Sequence, residues 1–130
     1  MRPKSKDLSP HSKKILELLN DSKKPLSAYE ILAELQGTGI SAPQTVYRAL
    51  NSLVELDLVH RIESLNSFVA CHNKEEDHGK QFVICKACKS VLEIHDHRIC
   101  NFIKEIGKNL RFKIEHEMLE LTGLCSQCDI

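Results

Sequence analysis

Residues 59–71, VHRIESLNSFVAC, decide how the rest of the chain reads. Val59, Ile62, Phe68 and Val69 are strand formers on either side of Leu65-Asn66, the pattern of a β-hairpin. With Leu65 and Asn66 as a two-residue loop, Ser64 stands opposite Ser67, Ile62 opposite Val69 and His60 opposite Cys71. Facing residues hold their Cβ atoms roughly 5 Å apart, near enough for an imidazole and a thiolate to share one metal ion. Next come HNKEEDHGK (72–80) and QFVICKACKSVLE (81–93), which add His78, Glu93 and the first of two Cys-x-x-Cys motifs. A metal near the middle of the chain is therefore the first hypothesis. His72 is a rival ligand, but it points to the opposite face from Cys71.

Upstream of the hairpin, start signals mark three helices. Ser9-Pro10 is a cap followed by proline at the first helical position, and Ile15, Leu16, Leu18 and Leu19 form a buried stripe. Ser27-Ala-Tyr-Glu30 is a capping box leading into Ile31, Leu32 and Leu35, and Gly37-Thr-Gly39 breaks that helix. Ser41 and Pro43 open the third, whose apolar face is Val46, Leu50, Leu53 and Val54. Three short helices and a two-stranded wing predict a winged helix-turn-helix domain over 1–72. Gln44, Thr45, Tyr47, Arg48 and Asn51 lie on or beside the other face of the third helix, where they could read base edges. An ordinary solvated face has the same appearance in sequence.

Downstream, the polar run 73–80 reads as a hinge, and 81–130 as a small α/β domain. Phe82–Cys85 and Val91–Ile94 are expected strands. Ile99, Phe102, Ile103, Ile106 and Leu110 give a helix with one apolar stripe. Phe112, Ile114, His116 and Met118 alternate with charged residues, as in a half-buried strand. The predicted class is α+β. A core this thin usually needs a structural metal or dimerisation.

Composition limits the function classes. The chain has 130 residues, 42% of them hydrophobic and 28% charged, which suits a globular protein. It lacks an apolar run long enough for a signal peptide or a membrane helix, so a cytoplasmic protein without a membrane partner is expected. Six cysteines in that setting point to thiols and metal sites before disulfides. Net charge is zero, so the case for nucleic acid rests on local pattern alone. No nucleophile–base pair or open catalytic metal site stands out, so neither an enzyme nor a small-molecule substrate is expected.

Cys85-x-x-Cys88 and Cys125-x-x-Cys128 form the most specific local signal, since two such turns complete a tetrahedral thiolate shell for structural zinc. Redox chemistry in one or both pairs is the competing reading. For His60, Cys71, His78 and Glu93, spacing alone slightly favours ordinary surface and small-residue roles. His95, His97, Cys100 and His116 could form a third group, although a core histidine is the commoner outcome for His116.

The segments SAYEIL (27–32), TVYRAL (45–50), LVHRIESLNSFVACH (58–72), ICKAC (84–88) and LTGLCSQC (121–128) resemble the ferric uptake regulator superfamily, and within it most closely the zinc uptake regulators. That resemblance implies a regulatory zinc on His60, Cys71, His78 and Glu93 and a structural zinc on Cys85, Cys88, Cys125 and Cys128, so two Zn(2+) per chain. It also implies that Tyr47 and Arg48 contact DNA, and that a zinc-loaded homodimer binds a double-stranded operator to repress zinc-acquisition genes. Iron- and peroxide-sensing members usually carry a histidine just before the second helix, where this chain has Pro25. They also have a His-rich run before the first Cys-x-x-Cys, where this chain has Gly79-Lys80-Gln81-Phe82. An iron, manganese or peroxide sensor of the same superfamily, or a redox-regulated structural zinc protein, stands as the alternative. Several members place a carboxylate ligand of a third site where this chain has Cys100.

Overall fold

The computed structural model describes residues 8–22, 24–71, 80–94 and 96–129. They fall into two compact units that divide after Cys71. The expected hinge 73–80 lies outside the described residues except for Lys80, which opens a strand.

The first unit begins with α1 (Pro10–Asp21), whose first turn is closed by the Ser12 N–H donating to Ser9 Oγ at 3.2 Å. In α2 (Ala28–Glu34) the capping box is complete. The Glu30 N–H donates to Ser27 Oγ at 3.2 Å, and the Ser27 N–H donates to Glu30 Oε1 at 3.0 Å. The turn after α2 needs left-handed backbone at Gly37 (φ +85) and Gly39 (φ +94), which only glycine adopts without strain. Helix α3 (Pro43–Glu55) starts one residue later than the expected serine cap. Ala42 is the cap and contributes no side-chain bond. Pro43 at N1 has no N–H to satisfy, and the Thr45 N–H donates to the Ala42 carbonyl, so little is left for a serine to do. Ile15, Ile31, Val46, Leu50 and Leu53 meet in the core of this unit.

The wing corrects the expected hairpin. Strands β1 (Val59–Ile62) and β2 (Ser67–Ala70) pair antiparallel with His60 opposite Val69 and Ile62 opposite Ser67. Between them Glu63–Leu65 make a single 3-10 turn, and Asn66 closes the loop in left-handed conformation (φ 48). The loop is therefore longer than two residues, and the register slips by two. A slip of two keeps every side chain on its expected face. Cys71 becomes the diagonal neighbour of His60 instead of its facing partner. The ladder continues one pair further, with the Cys71 N–H donating to the Leu58 carbonyl at 2.9 Å. On its other side β2 is gripped by the loop before α2: the Phe68 N–H donates to Leu26 O at 2.8 Å, and the Leu26 N–H donates to Phe68 O at 3.1 Å. The wing is thus tied by backbone bonds to the helical body.

The second unit has a three-stranded sheet in the order β4 (Val91–Glu93), β3 (Lys80–Cys85), β5 (Met118–Gly123), with α4 (His97–Leu110) between β4 and β5 in the chain. Strand β4 is antiparallel to β3, and β5 is parallel to it, with Cys85 beside Gly123. The expected strand through Phe112 and Ile114 is not there: residues 112–117 have no regular structure, and the strand begins at Met118. The cause lies at the end of α4. Arg111 takes left-handed backbone (φ 54), and the Phe112 N–H donates to Gly107 O at 2.8 Å, turning the chain back over the helix. A Cβ on Gly107 would sit 3.0 Å from the Phe112 carbonyl oxygen and 3.1 Å from Ile114 Cδ1. Gly107→Ala is accordingly expected to lower the melting temperature, even though alanine favours a helix interior by roughly 1 kcal/mol. A thermal melt of variant and parent checks this.

Among the described residues of this unit few apolar side chains are buried, with Phe82 and Ile84 foremost among them. Phe102, Leu110 and Phe112 are instead 62%, 65% and 72% exposed. The apolar stripe of α4 therefore exists as expected, but the described residues do not cover it.

Candidate metal centre and helix face

The four-cysteine group follows from the parallel pairing of β3 and β5. Cys85 ends β3, and the turn carrying Cys88 follows it. Cys125 and Cys128 lie in the turn after β5. Both turns leave neighbouring strands at the same end, and the Lys86 N–H donates to Gly123 O at 2.9 Å across them. The four sulfurs lie within 4.8 Å of one another. Cys88 and Cys125 are 3.9 Å apart. A tetrahedral shell with zinc–sulfur bonds of about 2.3 Å requires sulfurs about 3.8 Å apart, so the donors and their spacing fit that ion.

The local electrostatics prepare part of this shell for a cation. The N–H groups of Cys88 and Cys125 both point at Cys85 Sγ, each at 3.5 Å, and draw its thiol pKa down to about 6. Ser90, whose hydroxyl lies 3.2 Å from Cys88 Sγ, lowers that thiol too. Cys128 is pushed up to about 12, first by Cys125 and then by Cys85. Crowded sulfurs of this kind cannot all ionise unaided. A divalent cation would relieve the repulsion and displace the remaining protons.

In the first unit the wing brings together one imidazole and one thiol. His60 is buried on β1, Cys71 is half-buried just past β2, and their ligand atoms lie within 4.8 Å. Diagonal neighbours on an antiparallel pair can reach each other in this way. Glu93 is half-buried at the end of β4 in the second unit, opposite Phe82. His78 lies outside the described residues, as do His72 and His95. The possible third group does not assemble among the described residues: His97 and His116 are exposed, and neither forms a cluster of potential ligands with Cys100.

On α3, Gln44, Tyr47, Arg48 and Asn51 are exposed along one face, and Thr45 is half-buried beside them. The opposite face packs Val46, Ala49, Leu50 and Leu53 into the core, so helical period alone sets the outward face. Sequence reasoning passed over Tyr29. It is 66% exposed on α2, the first helix of the helix-turn-helix pair. An aromatic just after a capping serine, out of phase with Ile31 and Leu35, was the available signal.

A winged helix-turn-helix unit followed by a small α/β unit with a four-cysteine centre is the build of a transcription regulator, not of an enzyme. The model of the ferric uptake regulator family matches residues 6–122, and the chain belongs to that family. The zinc uptake regulation protein of Escherichia coli K12 is 33% identical over 123 residues, covering 93% of this chain and 72% of that protein. A solved zinc uptake regulator complexed with zinc and DNA superposes with a TM-score of 0.85 at 33% identity, covering 92% of this chain and 81% of that one. The crystal structure of holo XcZur gives a TM-score of 0.82 at 38% identity, covering 93% of this chain and 85% of the other.

Proposed function

We propose that this chain is a zinc-responsive transcriptional repressor of zinc-acquisition genes, acting in the cytoplasm as a zinc-loaded homodimer on a double-stranded operator. Residues 1–72 form the DNA-binding domain, 73–80 the hinge and 81–130 the dimerisation domain. The observation that carries the reading is the His60–Cys71 pair, an imidazole and a thiol within 4.8 Å in the wing of a DNA-binding fold. Zinc accepts mixed nitrogen, sulfur and oxygen ligands readily. The likeness to named zinc uptake regulators supports the choice of metal.

Two zinc ions per chain have separate tasks. The first, on Cys85, Cys88, Cys125 and Cys128, holds the second unit together. The second ties the wing, through His60 and Cys71, to His78 and Glu93. Because Leu26 and Phe68 join the wing to the helical body by backbone bonds, a pull on the wing carries α3 with it. Zinc thereby selects the arrangement in which two copies of α3 fit successive major grooves. Affinity for zinc and affinity for DNA are then reciprocally linked. The exposed Phe102, Ile106 and Leu110 on α4 support self-association, since monomers rarely leave such a stripe open.

On DNA, Gln44, Thr45, Tyr47, Arg48 and Asn51 face the groove, and Tyr29 on α2 lies where the first helix of such a pair crosses the backbone. Arg48→Ala is expected to weaken operator binding by about 1–3 kcal/mol if Arg48 reads a base. Zinc content and dimerisation should stay as in the parent, and equal affinity at matched salt would remove Arg48 from the interface. Operator binding titrated against buffered free zinc, iron and manganese tests the whole reading. A response to iron or manganese at levels where zinc has none would replace it with another sensor of the family.

A further inference from the structure

Gln81 is 1% exposed, yet it is polar and sits on β3 in the second unit. Its side-chain amide reaches two groups on other parts of that unit. Nε2 donates to Cys100 Sγ on α4 at 3.5 Å and to Glu117 Oε2, just before β5, at 3.4 Å. Oε1 is buried without a hydrogen-bond partner among the described residues. Turning the amide over would set Oε1 against the Glu117 carboxylate, so the partners fix its orientation. Both hydrogens therefore go to acceptors, and the carbonyl end goes unused. An amide placed like this presents only the positive ends of its N–H dipoles to the two acceptors. A thiol and a carboxylate converging on one point are also the side chains that would ligate a divalent cation.

We propose that Gln81 is a positioning residue that takes a cation's place, clasping α4 and the start of β5 to β3 without a metal. The cost of the idle oxygen is accepted because a neutral donor holds both acceptors whatever the supply of metal. Helix α4 and strand β5 carry Phe102, Ile106, Leu110, Met118 and Leu121, which are among the exposed apolar residues of this unit. The clasp thus also fixes the face on which two chains would meet, a consequence that rests on the dimer reading above.

Two substitutions in the full zinc-loaded chain test this, with amide hydrogen exchange and metal content as readouts. Gln81→Leu keeps the volume and removes both donors. Exchange in α4 and β5 should quicken at least tenfold, with metal content equal to the parent's. Gln81→Glu puts a carboxylate beside Cys100 and Glu117. It should loosen the same elements in metal-poor buffer, bind one more zinc or manganese ion per chain than the parent, and regain slow exchange once that ion is bound. A merely structural contact would not show this metal-dependent rescue. Exchange in Gln81→Leu as slow as in the parent would overturn the clasp. A parent carrying one ion more than Gln81→Leu, or a Gln81→Glu chain that takes up none, would overturn the cation's-place argument. A parent that stays monomeric would sink the dimer reading and leave the exchange result to decide the clasp by itself.

Discussion

Cys125→Ser is expected to leave a protein whose second unit is disordered and which no longer dimerises. Metal binding to a shell of this kind is worth roughly 10 kcal/mol or more, comparable to the whole stability of a small domain. The second unit buries too few apolar side chains to replace that contribution, with Phe82 and Ile84 at its centre and much of α4 open. Serine offers a hydroxyl that stays protonated and binds zinc weakly, so the three remaining sulfurs lose their fourth partner. Circular dichroism should show the loss of α4 and the sheet, and gel filtration the loss of the dimer. The first unit should keep its three helices, because its core is built from its own side chains. A folded, dimeric variant with one zinc fewer would show that the four-cysteine centre is not a folding element.

The second large effect is expected at Cys71. It is the only thiol in the proposed sensing site, and it lies within 4.8 Å of a His60 ligand atom on the same face of the wing. Cys71→Ser keeps the size, and it keeps the backbone bond from the residue 71 N–H to Leu58 O. It removes the soft anionic ligand that favours zinc. The variant should fold, dimerise and hold zinc on the four cysteines, yet bind operator weakly at zinc levels that saturate the parent. Metal analysis, gel filtration and a zinc-dependent binding curve separate the outcomes. Loss of fold would make Cys71 structural, and an unchanged curve would make it an ordinary small side chain.

These two expectations depend on the sequence to different degrees. Elements set by neighbours in the chain are legible in it. Ser9-Pro10 starts α1, the Ser27/Glu30 box starts α2, and the period of Val46, Leu50 and Leu53 fixes which way α3 faces. The paired Cys-x-x-Cys motifs also declare themselves, since each turn gathers its own two sulfurs. Tertiary structure alone decides how such pieces meet. The 3-10 turn at Glu63–Leu65, closed by Asn66 in left-handed conformation, shifts the wing register by two, and Leu26 from a distant part of the chain grips Phe68 in the same wing. The parallel pairing of β3 with β5 unites two cysteine pairs with 36 residues between them, and no local pattern specifies which strands become neighbours. The alternation from Phe112 to Met118 suggests a strand, yet the cap at Arg111 and the close approach at Gly107 turn that segment over α4. Gln81 looks like an ordinary polar strand residue until α4 and Glu117 are folded against it. Sequence carries periodicity, caps and short-range geometry because the residues involved are covalently close. Register, strand order and the clasp on Gln81 come from contacts between distant residues, which exist only once the chain has folded.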